Sequence, residues 1–93
     1  MPSFKVTHVR EQGQDMIIFP LESTFGSRSE NEQSEALEEL QSRAHAAGLA
    51  GQAVAVWESS GRMHFIGPRP WHGFLQSISM RWVALNVNKQ ISW

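Results

Sequence analysis

Four histidines, His8, His45, His64 and His72, are the side chains of this 93-residue sequence best suited to move a proton near neutral pH or to bind a metal. Their spacing supports neither task. No two stand four residues apart, the separation that stacks two imidazoles on one helix face as metal ligands. Cysteine is absent, which removes thiolate nucleophiles, thiolate zinc sites and disulfides together. The phosphate-cradling patterns G-x-x-x-x-G-K and G-x-G-x-x-G do not occur, nor does the nucleophile elbow G-x-S-x-G. Glu38 and Glu39 are adjacent in a helical pattern, so their side chains diverge by about 100° and do not face one another as an acid/base pair. The residues therefore call for no catalytic group, no metal and no cofactor. An enzyme is the less expected class.

The most distinctive stretch is Arg69-Pro70-Trp71-His72-Gly73-Phe74, which sets a guanidinium, an imidazole and two large rings beside chain-breaking residues. Loops of this kind stack planar groups on an aromatic face and pair anions with the arginine. The competing reading is structural: large rings near the end of a small domain close its core. Trp82 and Trp93 extend the aromatic set, and a tryptophan left in water forgoes about 1.5–3 kcal/mol or more of burial, so Trp93 is expected to dock on the sheet or on a second subunit.

Charge is unevenly distributed. Between residues 22 and 39 stand six glutamates (Glu22, Glu30, Glu32, Glu35, Glu38, Glu39) and a single base, Arg28. From residue 59 to 93 the order reverses, with Arg62, Arg69, Arg81 and Lys89 and no acid. This separation points to a non-enzymatic interaction module that holds an acidic protein partner on a basic aromatic surface made of Arg62, Arg69, Trp71, His72, Phe74, Arg81 and Trp82. The chain's own acidic segment makes a homodimer the natural oligomer to expect. A second reading places a nucleic acid on the same surface, with bases stacked on the rings and phosphates on the arginines. It ranks lower, because the net charge is −1 and nucleic-acid-binding domains are usually strongly basic. A third builds a small-molecule or catalytic site from His64, Arg69, Trp71 and His72, and it requires a pocket that no spacing in the sequence demonstrates.

The elements that must position these residues are legible in outline. Phe4, Val6 and His8 alternate with polar neighbours, and Met16-Ile17-Ile18-Phe19 follows a polar, Gly-containing connection, which reads as a β-hairpin closed off by Pro20. Ser29 and Glu32 have the spacing of a capping box, Leu37, Leu40, Ala44 and Ala47 recur at helical spacing, and Gly48 is placed to leave the helix in the left-handed conformation. These signals predict a helix over about 30–47. Residues 52–57 and 62–66 flank a short turn and predict a second hairpin, ended by Gly67-Pro68-Arg69-Pro70. Beyond it a short helix over 71–77 and a strand over 81–87 are expected, the latter because Val83, Leu85 and Val87 alternate with polar residues. The whole is an α+β domain, an antiparallel sheet of four to five strands with the main helix on one face, in the order β-β-α-β-β-(α)-β.

Bulk properties set the outer limits. A chain of this length buries roughly 60–65% of its unfolded surface, enough for one core and one domain over 1–93. With 41% hydrophobic and 18% charged residues it is too apolar to stay disordered. No apolar run approaches the roughly 20 residues of a membrane span, and the first residues lack the order of a signal peptide. A cytoplasmic location is expected, and short length without a metabolic motif fits an accessory protein of bacterial or mobile-element origin.

Overall fold

The computed structural model describes residues 3–11 and 13–92. Trp93 lies outside them, and with it the expectation that its ring docks. β1 (Ser3–Glu11) and β2 (Gln14–Pro20) form the expected first hairpin, with Thr7 opposite Ile18 and Glu11 opposite Gln14. A 3-10 helix over Ser23–Ser27 leads into α1 (Glu30–Ala46). The capping box is complete: Glu32 N–H donates to the Ser29 hydroxyl at 3.2 Å, and Ser29 N–H donates back to the Glu32 carboxylate at 3.3 Å. Those bonds, the backbone one first and the Ser29 hydroxyl second, hold the Glu32 carboxyl below the usual carboxylate range. Gly48 ends the helix at φ +88°, and Leu49 N–H returns to the Ala44 carbonyl at 3.0 Å.

β3 (Gln52–Ser59) and β4 (Arg62–Ile66) form the second expected hairpin. The sheet order is β4-β3-β2-β1-β5, with β5 at Lys89–Ser92. Three of its neighbouring pairs are antiparallel, while β2 and β3 run parallel, Ile18 opposite Val54. The sheet is thus mixed, mostly antiparallel. A parallel pair needs a crossover of a dozen residues or more, and α1 with its flanking loops supplies it.

Strand alternation distributes the core over both faces of this sheet. Val6, Ile17, Phe19, Ala53 and Ile91 meet Leu40 and Ala44 of α1, and Ala55 and Trp57 meet Phe25 nearby. On the opposite face Met16, Ile18, Val54 and Val56 meet Leu75 and Val83. Leu75 belongs to α2 (His72–Ser77) and Val83 to α3 (Met80–Leu85). A second helical layer therefore covers the face that α1 leaves open. α2 matches the expected helix over 71–77, but the strand expected over 81–87 is corrected: residues 80–85 are helical, and the last strand starts at Lys89. The reason is local. Ser79 caps the first turn by accepting from Trp82 N–H at 3.2 Å, Met80 and Val83 fall on one helical face against the core, and the Asn86 side chain closes the end by donating to the Trp82 carbonyl at 2.7 Å. The buried Thr7 hydroxyl then ties α3 to the sheet, donating to the Val83 carbonyl at 2.8 Å.

Asn88 performs a related task for β5. Its N–H donates to the Val6 carbonyl, and its side-chain amide both donates to the His8 carbonyl and accepts from His8 N–H, each at 2.9 Å. The carboxamide extends the β1–β5 ladder by one rung beyond the strand itself.

Candidate functional site

The second helical layer carries most of the aromatic residues singled out in the sequence. Trp71, Phe74 and Trp82 are half-buried and pack on the cluster of Met16, Ile18, Val54, Val56, Leu75 and Val83. Phe74 meets Trp82 edge to face, ring centroids 5.8 Å apart. Each ring closes the core with one side, as the structural reading expects, and keeps its other side at the surface. His72 is half-buried beside them, its ring 5.1 Å from Phe65, and its Nε2–H donates to the Gly67 carbonyl at 3.0 Å.

Arg69 and Arg81 are exposed on this layer, and neither has an ion-pair partner among the described residues. Within α3, Met80 and Val83 turn inward, which leaves Arg81, Ala84 and Leu85 together on the outward side. Leu85 is 74% exposed, the one large hydrophobic residue left so open among the described residues. Its neighbours one turn earlier are Arg81 and Trp82, so an apolar knob stands beside a guanidinium and an indole edge.

Other expected members of the surface lie elsewhere. On β4, Met63 and Phe65 belong to the α2/α3 side, so alternation sends Arg62 and His64 to the side of α1. His64 there stacks on Trp57, centroids 5.9 Å apart and planes 16° from parallel. Lys89, paired with Val6 on the α1 side, leaves the basic layer in the same way. The structure thus puts Arg69, Trp71, His72, Phe74, Arg81 and Trp82 on one side of the sheet, with Phe74 and Trp82 in contact, and sends Arg62 and Lys89 to the other. It does not converge His64 with His72, which sit on opposite sides of β4. One carboxylate approaches the layer from its rim, Glu58, which follows Val56 on that face at the end of β3. Asp15 borders a depression with Pro70 and Trp71 but alternates with Met16 and so directs its side chain to the α1 side.

Three of the four histidines clasp loops. His8 Nε2–H donates to the Ala50 carbonyl at 2.9 Å and His45 Nε2–H to that of Gly51 at 2.6 Å, fixing the α1–β3 connection from two directions, as His72 fixes residue 67. Among the described residues no three acidic or histidine side chains cluster as metal ligands, and no helix is long and apolar enough to cross a membrane.

A second concavity was not visible from the sequence. A groove of about 700 Å³ on the α1 side runs between the start of β1, the end of β2, the 3-10 helix and α1. Phe4, Leu21, Phe25 and Leu40 give it an apolar floor, and Lys5, Glu22, Arg28 and Glu39 edge it. Four separated segments build it, so no local pattern marks it; the only trace is the three-residue spacing of Phe25 and Arg28, whose guanidinium lies 5.8 Å above the ring centroid.

No protein-family model, curated protein or solved structure matches the chain.

Proposed function

We propose that this protein is a non-enzymatic interaction module that seats an acidic face of another protein on the outer side of α3, with Leu85 as the apolar contact and Arg81 and Arg69 as the charge contacts. The observation that carries the reading is the position of Leu85, 74% exposed beside Arg81 and Trp82. An exposed large aliphatic side chain alone is ordinary. Here it stands on a layer whose arginines have no ion-pair partner among the described residues, with the sheet and its core between them and the glutamates of α1. An acidic helix with one apolar residue per turn complements that arrangement.

Self-association ranks below a different partner on symmetry grounds. A two-fold contact centred on Leu85 would bring Arg81 towards its own copy. Pairing α3 with the acidic α1 of a second molecule would join opposite faces of the sheet, a head-to-tail contact that produces a ring or an open chain of molecules instead of a two-fold dimer. The surface is also small, so affinity in the micromolar range or weaker is the expectation for a contact below standard interface size.

The test uses a synthetic peptide of residues 29–47 as the acidic helix and a short single-stranded DNA as competitor. Binding of the peptide to the full chain, with amide shifts on α3 and loss in both Leu85→Glu and Arg81→Glu, supports the reading. Unchanged binding in both variants refutes it. Tighter binding of the DNA, falling steeply with salt, transfers the surface to nucleic acid. A sedimentation mass that rises with concentration and collapses in Leu85→Glu assigns it to a second copy.

A further inference from the structure

We infer that the groove beside α1 is a binding site for a small monocarboxylate with an apolar body, aromatic or of medium chain length. Its volume of about 700 Å³ lies in the range of small-molecule sites, roughly 300–1,000 Å³, and its floor is built from Phe4, Leu21, Phe25 and Leu40. The charge at its edge is arranged for one anion. Arg28 is held over the floor itself, its guanidinium 5.8 Å from the Phe25 centroid. A guanidinium stacked on a ring still presents its planar edge of N–H donors, the geometry that takes a carboxylate in a bidentate pair. Lys5 lines the start of β1 there, but alternation with Phe4 and Val6 sends its side chain to the other face, so Arg28 is the cation of the groove.

Arg28 has no ion-pair partner among the described residues, although the Glu32 carboxylate, held in the capping box, is near enough to feel its charge. Of the two carboxylates that line the groove, Glu39 faces Arg43 at 3.6 Å, which leaves Glu22 as the lining carboxylate that opposes an incoming anion. The remaining glutamates of α1 set the selectivity. One negative charge pairs with the Arg28 guanidinium, while a second would find no further cation in the groove and would meet these glutamates, so the site disfavours phosphates and dicarboxylates. The apolar body is then what supplies affinity, by covering Phe4 and Leu21, which are half-exposed.

The experiment is an amide-shift titration of the full chain with sodium octanoate and, separately, with 2-naphthoate, each matched to its neutral counterpart, octan-1-ol and 2-naphthol. Saturable shifts confined to Phe4, Leu21, Thr24, Phe25, Arg28 and Leu40 are expected, with whichever acid binds tighter identifying the body as chain or ring. Arg28→Gln, an exposed change that leaves the fold intact, should weaken the acid about tenfold or more, as loss of a charge-assisted hydrogen bond does, and leave the neutral counterpart unmoved. The inference is overturned if neither acid gives saturable shifts up to millimolar concentration, if alcohol and acid bind equally well, if Arg28→Gln has no effect, or if the shifts fall on α3 instead. It is also overturned if the groove amides change with protein concentration alone, which would make a second copy the occupant. Leu85→Glu leaves this titration unaltered, so its result is independent of the α3 reading.

Discussion

Replacing Gly51 with alanine tests the joint on which the parallel pair depends. Gly51 immediately precedes β3, at φ +118°, and a Cβ built there would fall inside the contact distance of the Asp15 carbonyl, a backbone atom that has nowhere cheap to go. The first rung of the β2–β3 ladder, Met16 opposite Gln52, lies directly beyond. Two costs combine. Forcing an L residue into such a backbone conformation costs on the order of 1–3 kcal/mol. Pushing Asp15 aside loosens one or two ladder hydrogen bonds at about 1 kcal/mol each. The total, about 2–5 kcal/mol, is a large part of the 5–15 kcal/mol typical of a domain. Gly48→Ala is the control, because Gly48 also has a positive φ, +88°, but open space where the Cβ would go. It should cost only the left-handed strain, about 1–2 kcal/mol. Urea unfolding followed by circular dichroism separates the two, and at about 4–8 °C per kcal/mol the thermal midpoint of Gly51→Ala should drop by roughly 10 °C or more. Equal midpoints for the two variants would refute the close approach of residue 51 to Asp15 and the account of the joint built on it.

Thr7→Val keeps the shape of a buried side chain but removes the donor that pins Val83, so it should cost about 1–2 kcal/mol in urea unfolding and accelerate amide exchange in α3 more than in α1. Ser29→Ala should cost about 1 kcal/mol through loss of the helix cap. The carboxylate half of that cap adds a pH dependence: the folded pKa of Glu32 lies below its unfolded value, so its contribution is present above the unfolded value and is lost as pH falls through the folded one. The difference in urea midpoint between the natural chain and Glu32→Gln should therefore be visible at neutral pH and close in acid below the usual carboxylate range.

α1 was readable because every local signal agreed: Ser29 and Glu32 as a box, Leu37, Leu40 and Ala44 as a stripe, Gly48 as a stop. The parallel pairing was not read, although its trace is present. Met16-Ile17-Ile18-Phe19 and Ala53-Val54-Ala55-Val56-Trp57 are unbroken apolar runs, and all nine residues are buried. Such runs belong to strands covered on both faces, whereas a strand with one wet face alternates. Treating each as half of a hairpin explained its neighbour and left its second face without a purpose. The end of the chain misled for a different reason. The alternation of Val83, Leu85 and Val87 is genuine, but two of the three have no sheet face to fill, since Leu85 points to water and Val87 lies in the connection to β5. The Ser79 cap and the three-residue spacing of Met80 and Val83 decided the conformation instead.

The same two-sided burial constrains where function can be. With β2 and β3 sealed by α1 on one side and by α2 and α3 on the other, the centre of the sheet has no room for a site, and any ligand must meet the outer helical faces or the rims. The basic residues of 59–93 are continuous in sequence but divided by strand geometry: Arg62 and Lys89 fall to the side of α1, and Arg69 and Arg81 remain on the other. A surface with two arginines and one exposed leucine is too sparsely charged to neutralise a run of phosphates, since each phosphate contact requires its own cation. It is well matched to a short acidic helix that contributes a carboxylate on either side of an apolar residue, and that numerical match, more than the sign of the charge, is what favours a protein over a nucleic acid on this face.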